Sequence, residues 1–276
     1  MSLLKPDQIA FYEREGYLIV DDLFTSGEAS LLLQIARHDP KLKAETKANR
    51  NYDEGSEGRN TVLAYRGALS DDAYSSLVRS RRVVSLLEQL LGDAVLHYYH
   101  LIMQKDPGTG GWQYHQDYGY HYQEFLRPDY LSFMVALEPA VPANGCLRVY
   151  PASHRLGRLE HQWCGSQLIT DPERVALVAR HYQEIHCPLR AGSVLFFHGN
   201  LLHASDANLS QHGRWSVVCS CVAARNPWVR DPKANKCEAL EAMPDAQFSA
   251  ALQRCWTAVA PTAPRGQSTT PGMNNG

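Results

Sequence analysis

The 276-residue sequence has no apolar run near the roughly 18 residues that a membrane-spanning helix needs. Its first residues lack a basic segment followed by an apolar stretch, so a secretory signal is not expected. There is little charge of either sign in excess. Lysine and arginine number 27, aspartate and glutamate 29, and the net charge is −2. That balance disfavours a protein built to coat nucleic acid or an anionic membrane. Cysteine is present seven times, but in an odd count, at scattered positions and without a CxxC pair. A disulfide framework or a structural zinc knot is therefore not expected, and reduced thiols in a cytoplasmic protein are. No glycine-rich phosphate loop follows a strand-like run, and no alternation of strands and helices suggests a parallel sheet.

What is there is a chain with 44% apolar residues, enough for a sizeable core. The first part alternates helices and polar breaks. Pro6–Glu15 reads as a helix stopped by Gly16, and Tyr17–Val20 as a strand. Ser26 is the expected cap of a helix carrying Leu31, Leu32 and Ile35. The stretch 43–60 reads as a polar loop, and Val83–Leu91 as a helix ended by Gly92. From about residue 94 the character changes to short apolar runs punctuated by Gly, Pro and Asn, namely Val95–Met103, Tyr130–Leu137, Cys146–Tyr150, Ser193–Phe197 and Trp215–Ala223. Such runs predict an antiparallel barrel or sandwich. A last helix is expected over Asp245–Val259, and residues 261–276 read as a disordered tail.

Two segments carry the chemistry. In the first, Trp112-Gln-Tyr-His115-Gln-Asp117, residues two apart on a strand share a face. His115 and Asp117 would then offer one imidazole and one carboxylate to a divalent first-row metal. In isolation this pattern is as easily a surface pair near a turn. The second segment runs from Gly192 to Trp215 and supplies His198, His203 and His212, any of which could add a second nitrogen. Two histidines and one carboxylate on one side of a metal leave positions open, as non-haem Fe(II) oxygenases require.

Together these motifs resemble the phytanoyl-CoA dioxygenase family of Fe(II)/2-oxoglutarate-dependent oxygenases, over about residues 6–222. The opening Phe11–Val20 is similar to the family's first helix and strand, and His115-Gln-Asp117 to its HxD element. Asn144-Gly145-Cys-Leu147 with Pro151-Ala-Ser153-His154 matches its NGxL…PGSH stretch. His203-x-Ser205-x-x-Asn208-x-Ser210-x-x-x-Arg214 matches its distal element. The resemblance implies a mainly β fold with flanking helices around a double-stranded β-helix (jelly-roll, cupin-like) core at about residues 94–223, within one domain covering residues 1–260. It selects His203 as the third ligand beside His115 and Asp117, for Fe(II). Arg214, eleven residues on, is implied to hold the distal carboxylate of the cosubstrate 2-oxoglutarate, for which a guanidinium fork is suited. Ser205, and by approximate alignment Gln104 and Ser132, are further candidate cosubstrate contacts. Asp117 stands where related halogenases have a small residue, which favours hydroxylation or a related oxidation over halogenation.

The resemblance therefore implies an enzyme that uses O2 and 2-oxoglutarate to oxidise a C–H bond, releasing succinate and CO2. Its partner is a small or medium, polar metabolite. A non-catalytic metal- or metabolite-binding jelly roll, and a cupin-like metal enzyme without 2-oxoglutarate, are the competing readings. Arg214 at its family spacing disfavours the last. Gln113 is expected to share the face of His115, with Tyr114 packing behind it. His198, His212 and His154 are expected to be structural or solvent-facing. Arg225, Trp228 and Arg230 are read as a solvated turn or as part of a cavity mouth. Ala152 stands where the family commonly has glycine, and would be strained if that position needs a positive φ.

Overall fold

The computed structural model describes residues 3–50, 60–165 and 167–261. Fourteen strands occur among them, in chain order β1 (Tyr17–Val20), β2 (Lys47–Arg50), β3 (Asn60–Arg66), β4 (Val95–Lys105), β5 (Trp112–His115), β6 (Tyr130–Ala136) and β7 (Leu147–Val149). There follow β8 (His161–Cys164), β9 (Gln167–Thr170), β10 (Ile185–Cys187), β11 (Val194–His198), β12 (His203–Ser205), β13 (Arg214–Ala223) and β14 (Glu238–Ala239). The large sheet has the order β1-β11-β6-β13-β4-β3-β2, with β14 added on β4; the small one has the order β10-β7-β12-β5. All the pairings are antiparallel. Two antiparallel sheets facing each other across a cavity are the expected jelly-roll architecture. The sheet draws β1, β2 and β3 from before residue 94.

The α-helices are α1 (Pro6–Glu15), α2 (Ser26–His38), α3 (Pro40–Glu45), α4 (Ala73–Val78), α5 (Arg81–Leu91), α6 (Asp117–His121), α7 (Pro172–His181) and α8 (Asp245–Val259). No helix among the described residues is long and apolar enough to cross a membrane. Pro6 starts α1, where its missing N–H costs nothing, and Gly16 ends it at φ 80°. Thr25, one residue before the expected cap, caps α2 through a reciprocal pair with Glu28. The stretch 43–50 is not the expected loop, because it contributes the end of α3 and all of β2. Residues 51–59 and the expected tail beyond 261 lie outside the described residues.

The main core lies between the outer face of the large sheet and the helices. There Ile102, Phe133, Phe196 and Val217 meet Leu32 and Leu87, all at most 2% exposed. The inner face, with Met134, Leu195 and Phe197, packs toward Leu147 and Val149 of the small sheet. Burial on both faces fits the largely apolar sequence of β6, every residue of which is buried, Ser132 included.

Candidate active site

Strand pairing builds the site. His203 on β12 and His115 at the end of β5 are direct cross-strand partners, so their rings face one cavity with centroids 4.2 Å apart. β5 ends at His115, and Asp117 is the first residue of α6. The strand geometry expected to join His115 to Asp117 is thus replaced by a strand-to-helix corner. Even so, Asp117 Oδ1 lies 3.6 Å from Nε2 of each histidine. The three side chains are the one group among the described residues with metal-ligand spacing, their ligand atoms all within 4.8 Å of one another.

The donor set fits a divalent ion such as iron. His115 Nδ1 lies 2.7 Å from the Gln113 carbonyl and His203 Nδ1 3.0 Å from the Leu201 carbonyl. A carbonyl only accepts, so each Nδ1 carries the proton and each Nε2 turns a lone pair to the centre. Burial, with His203 next to it, pushes His115 down to about 3, so it is neutral at ordinary pH. Ser132 donates to Asp117 Oδ2 and contacts Ser220 Oγ at 3.0 Å. Ser132, expected on the cosubstrate, therefore orients the carboxylate and leaves Oδ1 toward the histidines.

The cavity has a volume of about 330 Å3, and Ser205 and Arg214 line it beside the three ligands. Arg214 is 2% exposed. It donates through Nη1 to the Gly145 carbonyl, and its Nε has no hydrogen-bond partner among the described residues. Burial draws its pKa down to about 10, a cost that an anion in the cavity would relieve. Directly across the strand pair from Arg214 stands Lys105, fully buried, with Nζ 3.2 Å from Ser205 Oγ. Lys105 also donates to the Asp206 carbonyl and stands behind the lining, where the Arg214 guanidinium and the Ser205 hydroxyl match a carboxylate. Gly145 is required there: a Cβ on it would lie 2.2 Å from the Asp206 carbonyl and 2.9 Å from Lys105 Nζ.

Gln104 does not join this group. It faces the opposite side of β4, in a surface cleft with Arg37 and Trp215, and donates to Asp106. Its neighbour Lys105 is the inward residue, and the sequence reading passed over it by ending the strand at Met103. Strict alternation from Tyr99 through Leu101 and Met103, all of which line the cavity, leads to it.

Gln116, between two of the proposed ligands, was also missed. Its amide donates to the Gly157 and Asn200 carbonyls, and its carbonyl oxygen accepts from Leu159 N–H. Its backbone N–H donates to His161 Nε2 at 3.0 Å, while His161 Nδ1 bonds the Leu159 carbonyl. The His161 ring lies so close on α6 that a Cβ at Gly119 would stand 2.2 Å from it. The β8–β9 hairpin, which carries Trp163 to the cavity rim, is thereby fastened to the corner holding Asp117.

The other sequence expectations sort readily. Tyr114 packs on Tyr150, behind the site, and Gln113 lies outside the cavity lining. His198 accepts from Asn200 N–H, His154 packs against Gly16, and His212 is exposed. Arg225 pairs with Asp93 and Asp129, Trp228 packs on Phe125, and Arg230 meets Gln123, all away from the cavity. Ala152 has φ 64°, the strained conformation foreseen for a non-glycine residue there.

Known proteins resemble this chain in sequence and in fold. Ectoine dioxygenase of Bordetella parapertussis is 29% identical over 233 residues, covering 78% of this chain and 74% of that one. L-proline trans-4-hydroxylase of Streptomyces griseoviridis is 26% identical over 235 residues, covering 78% and 85%. Among solved structures, EctD from S. alaskensis in its apoform superposes with a TM-score of 0.72 at 22% identity, over 87% of this chain and 88% of that one. The sequence model of the phytanoyl-CoA dioxygenase (PhyH) family matches residues 12–216, and the chain belongs to that family.

Proposed function

We propose that this chain is an Fe(II)/2-oxoglutarate-dependent dioxygenase that oxidises a C–H bond of a small molecule, with His115, Asp117 and His203 holding the iron and Arg214 holding the cosubstrate. The observation that carries it is the convergence of the two Nε2 atoms and Asp117 Oδ1 at 3.6 Å, in a cavity that also contains a buried arginine with an unpartnered Nε. Family membership and the ectoine and proline hydroxylating relatives support the same reading. Iron with 2-oxoglutarate and O2 supplies the oxidising chemistry, in which decarboxylation of the cosubstrate to succinate is coupled to oxidation of the substrate.

The chain's own residues do the rest. His115 and His203 present Nε2 because backbone carbonyls occupy their Nδ1 protons. Ser132 fixes the free Asp117 oxygen. Arg214, with Ser205 beside it and Lys105 behind Ser205, would hold the distal carboxylate of the cosubstrate. The apolar inner face of the large sheet keeps water from the reacting region.

The test is succinate release from purified, Fe(II)-loaded protein across a metabolite panel, with dependence on 2-oxoglutarate and O2. His115→Ala, Asp117→Ala and His203→Ala are each expected to abolish it while the circular dichroism spectrum is retained. Near-normal turnover in His203→Ala would remove that residue from the ligand set.

A further inference from the structure

The cavity has a second half, beyond the ligands and Arg214. Its walls are Leu101 and Tyr99 of β4, Trp112 of β5, Tyr120 of α6, Tyr65 of β3 and, at the rim, Trp163. Tyr65 and Tyr99 stack at 5.2 Å with 27° between planes, which makes one broad aromatic surface. Tyr65 is 53% and Trp163 72% exposed, so large rings stand in water at the mouth. Rings in such a place gain from being covered by an apolar guest.

Among the described lining residues the formally charged side chains are Asp117 and Arg214, and both have roles at the metal end. Outside the proposed ligands the other ionisable lining groups are the phenols of Tyr65, Tyr99 and Tyr120 and the imidazole of His121, which lies 3.2 Å from the Tyr98 hydroxyl and 3.8 Å from Glu124 Oε2 and stacks on Tyr130. Burial holds its pKa down to about 4, so it adds no charge at neutral pH. A carboxylate placed in this half would lose its hydration without gaining a cation among the described lining residues, which is a heavy cost, and an ammonium would find only the faces of the rings. Neutral polarity comes from the Tyr65, Tyr99 and Tyr120 hydroxyls and the Trp112 indole. The Trp112 indole N–H has no partner among the described residues, and the Tyr120 hydroxyl accepts from Leu168 N–H.

Resting on the oxygenase reading above, we infer that the substrate is a neutral, ring-bearing, largely apolar molecule, held by stacking and apolar contact. A zwitterion of the kind named for the hydroxylating relatives does not match these walls.

The test is isothermal titration calorimetry on the Fe(II)- and 2-oxoglutarate-loaded protein under anaerobic conditions. The neutral probes are camphor, limonene and indole; the charged probes are L-proline, ectoine and choline. Saturable binding of at least one neutral ring compound, with a negative heat-capacity change from apolar burial, is expected, and no binding of the charged three. Binding of proline, ectoine or choline, or failure of all three neutral rings to bind, overturns the inference. Trp163 is exposed, so Trp163→Ala folds as wild type does. It is expected to weaken the neutral probe about two- to tenfold, the worth of one aromatic contact. An unchanged affinity would remove the stacking argument. Consumption of 2-oxoglutarate, measured separately, tells whether the oxygenase reading itself stands.

Discussion

Strand β4 carries two different proteins on its two faces. Its inner residues Tyr99, Leu101, Met103 and Lys105 border the reaction cavity or its cationic end. Its outer residues His100 and Ile102 belong to the buried layer under the helices, and Gln104 to a surface cleft. One step along the chain thus exchanges chemistry for scaffolding, so a functional assignment displaced by a single residue fails completely. The same holds on β13, where Arg214 and Val218 face the cavity while Val217 and Cys219 pack outward.

Substitutions on the two faces should therefore separate cosubstrate binding from stability. The largest effect is expected for Arg214→Ala. Loss of the charge-assisted pair costs about 2–5 kcal/mol of cosubstrate binding, read as a raised 2-oxoglutarate requirement with little change in that for iron. Gln104→Ala, on the outer face, should leave both requirements alone; a large cosubstrate defect there would collapse the distinction. Ile102→Ala is expected to do the converse. It empties a site only 2% exposed and should lower unfolding stability by about 2–4 kcal/mol. Its 2-oxoglutarate KM, measured at low temperature, should stay as in wild type.

The outer face also has a pH signature. His97 and His100 touch at 3.0 Å with both rings fully buried, near Glu238 and Arg66. Burial lowers His97 to about 4 and His100 to about 3, from an ordinary value of 6.5. Below pH 6.5 the unfolded chain takes up protons that the folded chain refuses. Stability contributed by the neutral rings is therefore complete above about pH 6.5 and falls as the pH drops toward 4. Denaturant melts across that window should show the decline. His100→Gln should reduce its slope by up to about 1.4 kcal/mol per pH unit. The smallest effect is expected at Ala152, where relief of the left-handed strain in Ala152→Gly should add about 0.5–1 kcal/mol without touching turnover. A thermal melt no higher than wild type would show that the turn is already relaxed.

How much of this was legible beforehand depended on how local the cause was. α1, β1 and α8 follow from proline, glycine and apolar spacing within a few residues, and they lie where the sequence put them. The three proposed ligands and Arg214 were readable because their motifs are short and ordered along the chain. Lys105 was not, since its burial depends on pairing with Arg214 more than a hundred residues away. Gln116 and His161 were hidden for the same reason. Their roles consist of hydrogen bonds to backbone groups in distant segments, and no residue pattern announces such a bond. The β8–β9 hairpin was missed because its outer residues are exposed and give no alternation of burial.

Gln116 also bears on how such an enzyme can change its preferences over time. The outer residues of the β8–β9 hairpin, from Gln162 to Cys164, are exposed and free to vary in size and chemistry, so the rim can be remodelled there. His161 at the hairpin's base cannot vary in the same way. It receives the Gln116 N–H, and its ring fills the space that Gly119 leaves open. A change at that base would loosen the peptide next to Asp117 along with the rim. Specificity can therefore drift at the hairpin tip while its root stays bound to the requirements of the metal.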